Sequence, residues 1–229
     1  QTLIERFEPG LVSEHLAWST HEGIYLADLL PPALTKPVLA GVIDAIDKTQ
    51  ETLGRQILIE NPSWYLPRPD SWLTEVQFLN EMAQCSGCAL LIDVNNVYVS
   101  AHNLGFDSGA YIDALPGPAI GEIHLAGHSV DFIDGERVLI DSHGTHVADA
   151  VWDLYARLIR RVGRKPTLIE WDTNLPAWSV LRDEAQQAPY GVGAVQALDP
   201  ELRDVASVSA DHPLVCIIDS GLEVGHDDV

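Results

Sequence analysis

ALLIDVNN, residues 89–96, decides the fold. Four apolar residues run straight into the carboxylate of Asp93, and the amides Asn95 and Asn96 follow. A continuous apolar run, without alternation, reads as a strand buried on both faces, as in a parallel sheet. Burying Asp93 and Asn96 at the end of such a strand is costly unless something pairs with them. The same device recurs along the chain. Leu11–Leu16 ends in Ser13, Glu14 and His15, and Gln56–Asn61 (QILIEN) ends in Glu60 and Asn61. Ile120–His128 (IGEIHLAGH) carries Glu122, His124 and His128, and Thr167–Asp172 (TLIEWD) ends in Glu170 and Asp172.

Helical patterns separate these runs. Thr35 is the expected cap of a helix reaching about Leu53, with Val38, Leu39, Val42, Ile43, Ile46 and Leu53 on one face and Gly54 as the stop. Thr74 with Gln77 reads as a capping box that opens a helix through about Ala83. Strand 89–96 is expected to pass into a loop through Asn103, then a short helix near Ser108–Leu115. A polar loop follows His128; the next helix ends near Val162 at Gly163, and the last opens near Asn174–Pro176. Strand alternating with helix implies parallel βα units and the α/β class, with a (β/α)8 TIM barrel as the architecture.

All strand C-termini of such a barrel open onto one face. His15, Glu60, Asp93, Asn96, His124 and Glu170 would therefore converge without being close in sequence. Asp141 and His143, two apart on an extended segment, would point the same way. Imidazole mixed with carboxylate suits iron, zinc or manganese rather than calcium or magnesium, and so many donors allow more than one ion. Any one of them alone could be a helix cap or a satisfied hydrogen-bonding group. The loop Pro62–Pro69 brings Trp64 and Tyr65 to the same rim, where they would line a cleft or cover the mouth.

Composition narrows the classes. Thirty-four acidic against thirteen basic residues give a formal charge of −21. That opposes a nucleic-acid backbone or an anionic membrane as partner and suits metal ions or a basic peptide. No apolar run reaches the roughly 18 residues that span a bilayer. Three cysteines support no disulfide framework and point to a reducing cytoplasm. Cys85-Ser-Gly-Cys88 lacks a second pair, and Cys88 opens an apolar strand, so both thiols are expected to be structural.

SEHLAW (13–18), ADLLP (27–31), IENPS (59–63), GC-ALLIDVNNVYVSA-N (87–103), EIHLAGH (122–128), DSHG…VWDLY (141–155) and LIEWD (168–172) carry a likeness. Together they resemble the multinuclear non-haem iron-dependent oxidative enzymes, the methanobactin-biosynthesis-oxidase-like TIM barrels related to the xylose-isomerase-like group. The resemblance covers about residues 1–188. It implies a barrel holding two or three irons, mixed valence allowed, and an O2-dependent modification of cysteine or nearby residues in a ribosomally made precursor peptide. It further implies a separate protein that presents the peptide, in bacterial natural-product biosynthesis. By position, His15, Glu60, Asp93, His124, Asp141, His143 and Glu170 fit the family's metal ligands. Asn96 stands where members have His or Asn, and His128 is a further candidate. Glu60, Asp93 and His124 would be the catalytic members. The family begins with about three more strands, one bearing a His-Gly histidine that nothing before Gln1 matches. About five of eight βα units are therefore expected here.

After about Pro189 the likeness stops. Val215–Gly221 (VCIIDSG) and His226-Asp-Asp resemble the aspartate motif of subtilisin-like serine proteases, with Asp219 as the residue that would orient a histidine. Residues 189–229 thus read as a linker and the start of a protease-like stub. His143-Gly-Thr-His also looks like that family's histidine motif, but it precedes Asp219, whereas in subtilases the aspartate comes first, and no serine motif follows. Two other readings stay open: a divalent-metal sugar isomerase or endonuclease on a related barrel, and a non-catalytic barrel that binds a peptide.

Overall fold

The computed structural model describes residues 1–187 and the strand at 194–197. After a short helix α1 (Thr2–Phe7), the elements run β1 (Ser13–His15), β2 (Trp18–His21), β3 (Ile24–Leu30), α2 (Lys36–Leu53), β4 (Leu58–Glu60), α3 (Glu75–Ser86), β5 (Ala89–Asp93), α4 (Val94–Leu104) and α5 (Ser108–Ala114). They continue as β6 (Ile120–Ala126), β7 (Ser129–Ile133), β8 (Glu136–Ile140), α6 (Asp149–Val162), β9 (Thr167–Trp171), α7 (Trp178–Gln187) and β10 (Ala194–Ala197). Six strands form one parallel sheet in the order β1-β4-β5-β6-β9-β10. The fold is α/β, an arc of βα units, as the strand-like runs predict. β10 adds a parallel strand beyond residue 188.

The two faces of the sheet are chemically distinct because side chains alternate along a strand. Ile57, Ile59, Leu90, Ile92, Ile123, Leu125 and Ile169 pack into one apolar cluster with Leu39, Phe78, Leu79, Met82, Ile112, Val151, Tyr155 and Leu158 of the helices. Leu58, Leu91 and Leu168 are equally buried but stand outside that cluster. They face the interior of the arc, on the same side as Glu60, Asp93 and Glu170. Helix–sheet packing holds the fold, and the inner face is left for the site.

The helix ends follow their caps. Thr35 Oγ1 accepts from the Val38 amide at 3.4 Å, and Gly54 closes α2 in the left-handed region at φ 65°. Thr74 and Gln77 form the reciprocal capping box at 3.2 and 2.9 Å.

Two expectations are corrected. Residues 94–104 are helix α4, not the end of a strand and a loop. Asp93 is its cap, accepting from the Asn96 amide at 2.7 Å, and Gly105 ends it. A carboxylate closing an apolar strand is also a helix N-cap, and here that second role prevails. The polar loop after His128 is the hairpin β7–β8, turning at Asp134-Gly135 with both φ angles positive. Asp-Gly fits such a turn because its backbone twist matches that of the flanking strands. A like hairpin, β2–β3, rises from the end of β1. No helix among the described residues is long and apolar enough to cross a membrane.

Candidate metal centre

Strand register brings the donors together. Glu60 lies opposite His15 on β1, Asp93 opposite His124 on β6, and Glu170 opposite Ala126. Glu60, Asp93, His124 and Glu170 are all buried, and one donor atom from each lies within 4.8 Å of the others. His124 Nδ1 stands 3.3 Å from Glu170 Oε2 and 3.8 Å from Glu60 Oε1. His15 Nε2 is 3.5 Å from Glu60 Oε2 at the more open side of the quartet.

A second group shares Glu170. His143 Nδ1 lies 3.0 Å from Asp172 Oδ2 and 3.5 Å from Glu170 Oε2, while its Nε2 lies 2.7 Å from Asp141 Oδ1. These side chains come from the segment after β8 and the end of β9. The segment is pinned by backbone: the His143 amide donates to the Gly127 carbonyl at 3.0 Å, and the Asp172 amide donates to the His143 carbonyl at 2.7 Å. Gly127 permits this approach, since a Cβ there would meet the Thr145 carbonyl oxygen at 2.0 Å. His143 itself is left-handed at φ 45°, a conformation that disfavours a side chain and gathers at functional sites.

Other expected residues take supporting positions. Asn96 sits in the first turn of α4, where its Nδ2 donates to the Asn61 carbonyl at 3.0 Å and its Oδ1 is buried without a hydrogen bond. Asn61 carries the ladder past the strand ends: its Oδ1 accepts from the Asp93 amide at 2.9 Å, and its Nδ2 donates to the Asp93 carbonyl at 3.1 Å. His128 belongs to neither donor group. Its Nδ1 meets Asn95 Oδ1 at 2.9 Å, and Asn95 Nδ2 donates to Asp141 Oδ1 at 2.7 Å. Tyr65 accepts from the Asp141 amide at 3.1 Å. Asn95, fully buried, and Asp172 are absent from the candidates read off the sequence. The LIEWD block contains Asp172, but its share in the His143 group is visible only once the loop has folded over β9.

Several of these donors have no hydrogen-bonding partner. Asp93 Oδ2, both ring nitrogens of His124 and Asp172 Oδ1 are buried and unsatisfied. Buried polar groups are ordinarily satisfied, so a convergent set of such donors has the chemistry of a site that can hold a cation. The model for the RiPP precursor modification enzyme family MbnB/TglH/ChrH matches residues 1–191. The chain belongs to this family. A UPF0276 protein of Caulobacter sp. (strain K31) is 55% identical over 188 residues, 82% of this chain and 68% of that protein. One from Paraburkholderia phytofirmans is 51% identical over 189 residues, 82% of this chain and 62% of that protein. The chain thus spans about two thirds of the length of the curated relatives it matches. A xylose isomerase domain protein from Salmonella typhimurium LT2 superposes with a TM-score of 0.41 at 17% identity, over 62% of this chain and 53% of that one. So distant a likeness adds nothing to the fold read from the strands.

Burial and the neighbouring charges shift the titration of these groups strongly. Burial pushes Glu60 up to about 8 against the pull of His124 and His15. Burial and the neighbouring Asp141 raise Asp93 to about 6. For His124 burial acts downward, but Glu170, Glu60 and Glu122 carry it up to about 10. Glu170 is driven the other way, to about 2, because the His124 and His143 rings outweigh its burial. A cation would take over the work of the His124 proton, so this cluster can hold metal ions. Cys85 is exposed on α3 and Cys88 is buried in the core; both are free thiols, and neither joins the donor groups. Asp219 lies outside the described residues, and His143 pairs with Asp141 and Asp172.

Proposed function

We propose that this chain carries the metal-binding part of an enzyme that uses iron and O2 to modify cysteine, or a residue beside it, in a ribosomally made precursor peptide. A separate protein would present that peptide. Family membership supports precursor modification; the iron, the oxidant and the cysteine are the added steps. The observation that carries them is the buried quartet Glu60, Asp93, His124 and Glu170 with its unsatisfied donor atoms.

The donor set fits iron. Mixed imidazole and carboxylate ligands suit it, and Glu170 belongs to both donor groups. Glu60, Asp93, His124 and Glu170 would hold one ion, with His15 at its open side. Asp141, His143 and Asp172 would hold another with the shared Glu170, and the buried Asn96 Oδ1 is a further donor. Iron bound there supplies O2-dependent redox chemistry and a seat for a thiolate. The chain supplies the rest. Leu58, Leu91 and Leu168 keep water from the inner side of the quartet. Asn61 and Asn95 hold Asp93 and Asp141 in place. His15 and Asp172 are the more exposed donors, so the substrate would approach from their side. A charge of −21 favours a peptide with basic character.

The test is the full chain loaded anaerobically with ferrous iron and then given O2 and a cysteine-containing precursor peptide together with the protein that presents it. An O2-dependent mass change at the cysteine is expected. An iron-filled chain that leaves the peptide unchanged, or one that acts on a sugar without O2, would overturn the proposal.

A further inference from the structure

Among the described residues, Glu122 is an acid of the inner face that neither donor group uses. It is 1% exposed, and neither of its oxygens has a hydrogen-bonding partner. A buried carboxyl without a hydrogen-bonding partner is costly. Something must therefore be obtained from its position.

The strand is bent to put it there. β5 advances one residue from Leu90 to Leu91 while β6 advances two, from Ile120 to Glu122, so Gly121 is the extra residue of a bulge. Ile120 and Ile123 both pack outward into the helix-facing core. Regular alternation from Ile120 would have sent Glu122 outward too; the bulge turns both Glu122 and His124 to the inner face. Gly121 leaves room for it, since a Cβ there would come 2.8 Å from Leu58 Cδ2 and 3.3 Å from Ala89 Cβ.

The His124 ring then lies between two sets of oxygens. Its Nδ1 faces the quartet, 3.3 Å from Glu170 Oε2 and 3.8 Å from Glu60 Oε1, while its Nε2 faces Glu122 Oε1 at 3.9 Å. Both ring nitrogens and both Glu122 oxygens are unsatisfied. A metal-bound histidine ordinarily donates its other N–H to a carboxylate or carbonyl, which fixes the tautomer and strengthens the ligand.

We propose that Glu122 is a positioning residue for metal binding: it accepts the Nε2–H of His124 and so assigns Nδ1 to the ion. This rests on the metal reading of the quartet.

The experiment titrates Zn2+ alone into the metal-free full chain, wild type and with Glu122→Leu or Glu122→Gln, and follows Zn2+ affinity, metal-free Tm and the 15N shifts of His124. Glu122→Leu is expected to weaken Zn2+ by about 10- to 100-fold. Its metal-free Tm should hold or rise, since leucine suits a layer shared with Leu58 and Leu91. Glu122→Gln keeps an accepting oxygen and should restore most of the affinity. In wild type the shifts should show zinc on Nδ1 and a proton on Nε2. Unchanged affinity in Glu122→Leu, or zinc on Nε2, overturns the proposal. If Glu122→Leu lowers Tm and affinity together, Glu122 merely packs. If Glu122→Gln is as damaging as Glu122→Leu, Glu122 is itself a ligand. Should Glu122→Leu not fold, Glu122→Gln and the wild-type shifts decide alone. A wild-type chain that binds no Zn2+ removes the metal reading and this inference with it.

Discussion

Strand β5 presents two faces that could hardly differ more. Leu90 and Ile92 face the helices, and Leu91 and Asp93 face the arc's interior; all four are buried. Outside, apolar side chains interlock with α2, α3, α5 and α6. Inside, the same strands bring acids and imidazoles within 4.8 Å of one another. The outer face makes the fold stable, and the inner face gives up part of that stability to hold converging donors. Stability and metal binding should therefore separate by face.

The largest effect is expected outside. Ile92→Ala removes a fully buried side chain from the outer face and should cost about 2–5 kcal/mol in urea unfolding. Metal affinity of the folded fraction should stay near wild type. A loss of affinity with full stability would mean the faces do not act separately.

Glu75 is a half-buried acid of the helix layer with one carboxyl oxygen buried, at the start of α3 beside Trp64 and Tyr111, and so a control for the inner face. Burial raises its carboxyl to about 7, against 4.5 in the unfolded chain. A raised folded value means that the stability it contributes is complete below pH 4.5 and is lost as pH rises through about 7. The loss is roughly 3 kcal/mol. Glu75→Gln should remove that fall, with or without metal, in unfolding measured from pH 4.5 to 8. A fall unchanged in the variant would remove Glu75 as its source.

Asp93 joins the faces, capping α4 with one oxygen and leaving the other unsatisfied in the quartet. Asp93→Ala should cost the metal-free chain about 1 kcal/mol for the lost cap. Asp93→Asn can still accept from the Asn96 amide and should cost less, yet both should weaken metal binding. Equal metal-free stability of the two variants would show that the cap contributes little. The smallest effect is expected at Cys85→Ser, an exposed position away from the donors, within about 0.5 kcal/mol in stability and without loss of bound iron. A large loss of iron would bring the C-x-x-C into the site.

The strand ends were legible because a buried polar residue after an apolar run is rare and repeats here. Glu60, Asp93, His124 and Glu170 stand together where strand register alone would put them. α4 was not legible: Val94–Ala101 is apolar enough to read as more strand, and only the cap geometry of Asp93 separates the two. The hairpin β7–β8 carried a readable signal in Asp134-Gly135, masked by the acidic residues around it. Asp172 and Asn95 depend on how the 141–146 segment folds back over β6 and β9, a contact set by Gly127. No local pattern reports a contact between segments so far apart. Glu122 was visible as a letter, but its inward direction depends on the bulge at Gly121, and strict alternation would have turned it outward.

The proposed function requires iron on the inner face. The most direct test is iron analysis with Mössbauer spectroscopy on the full chain prepared anaerobically, wild type beside His124→Ala. Two or more coupled irons per wild-type chain, with fewer in His124→Ala, is the predicted result. A wild-type chain without iron, or a His124→Ala chain that keeps the full complement, would contradict it.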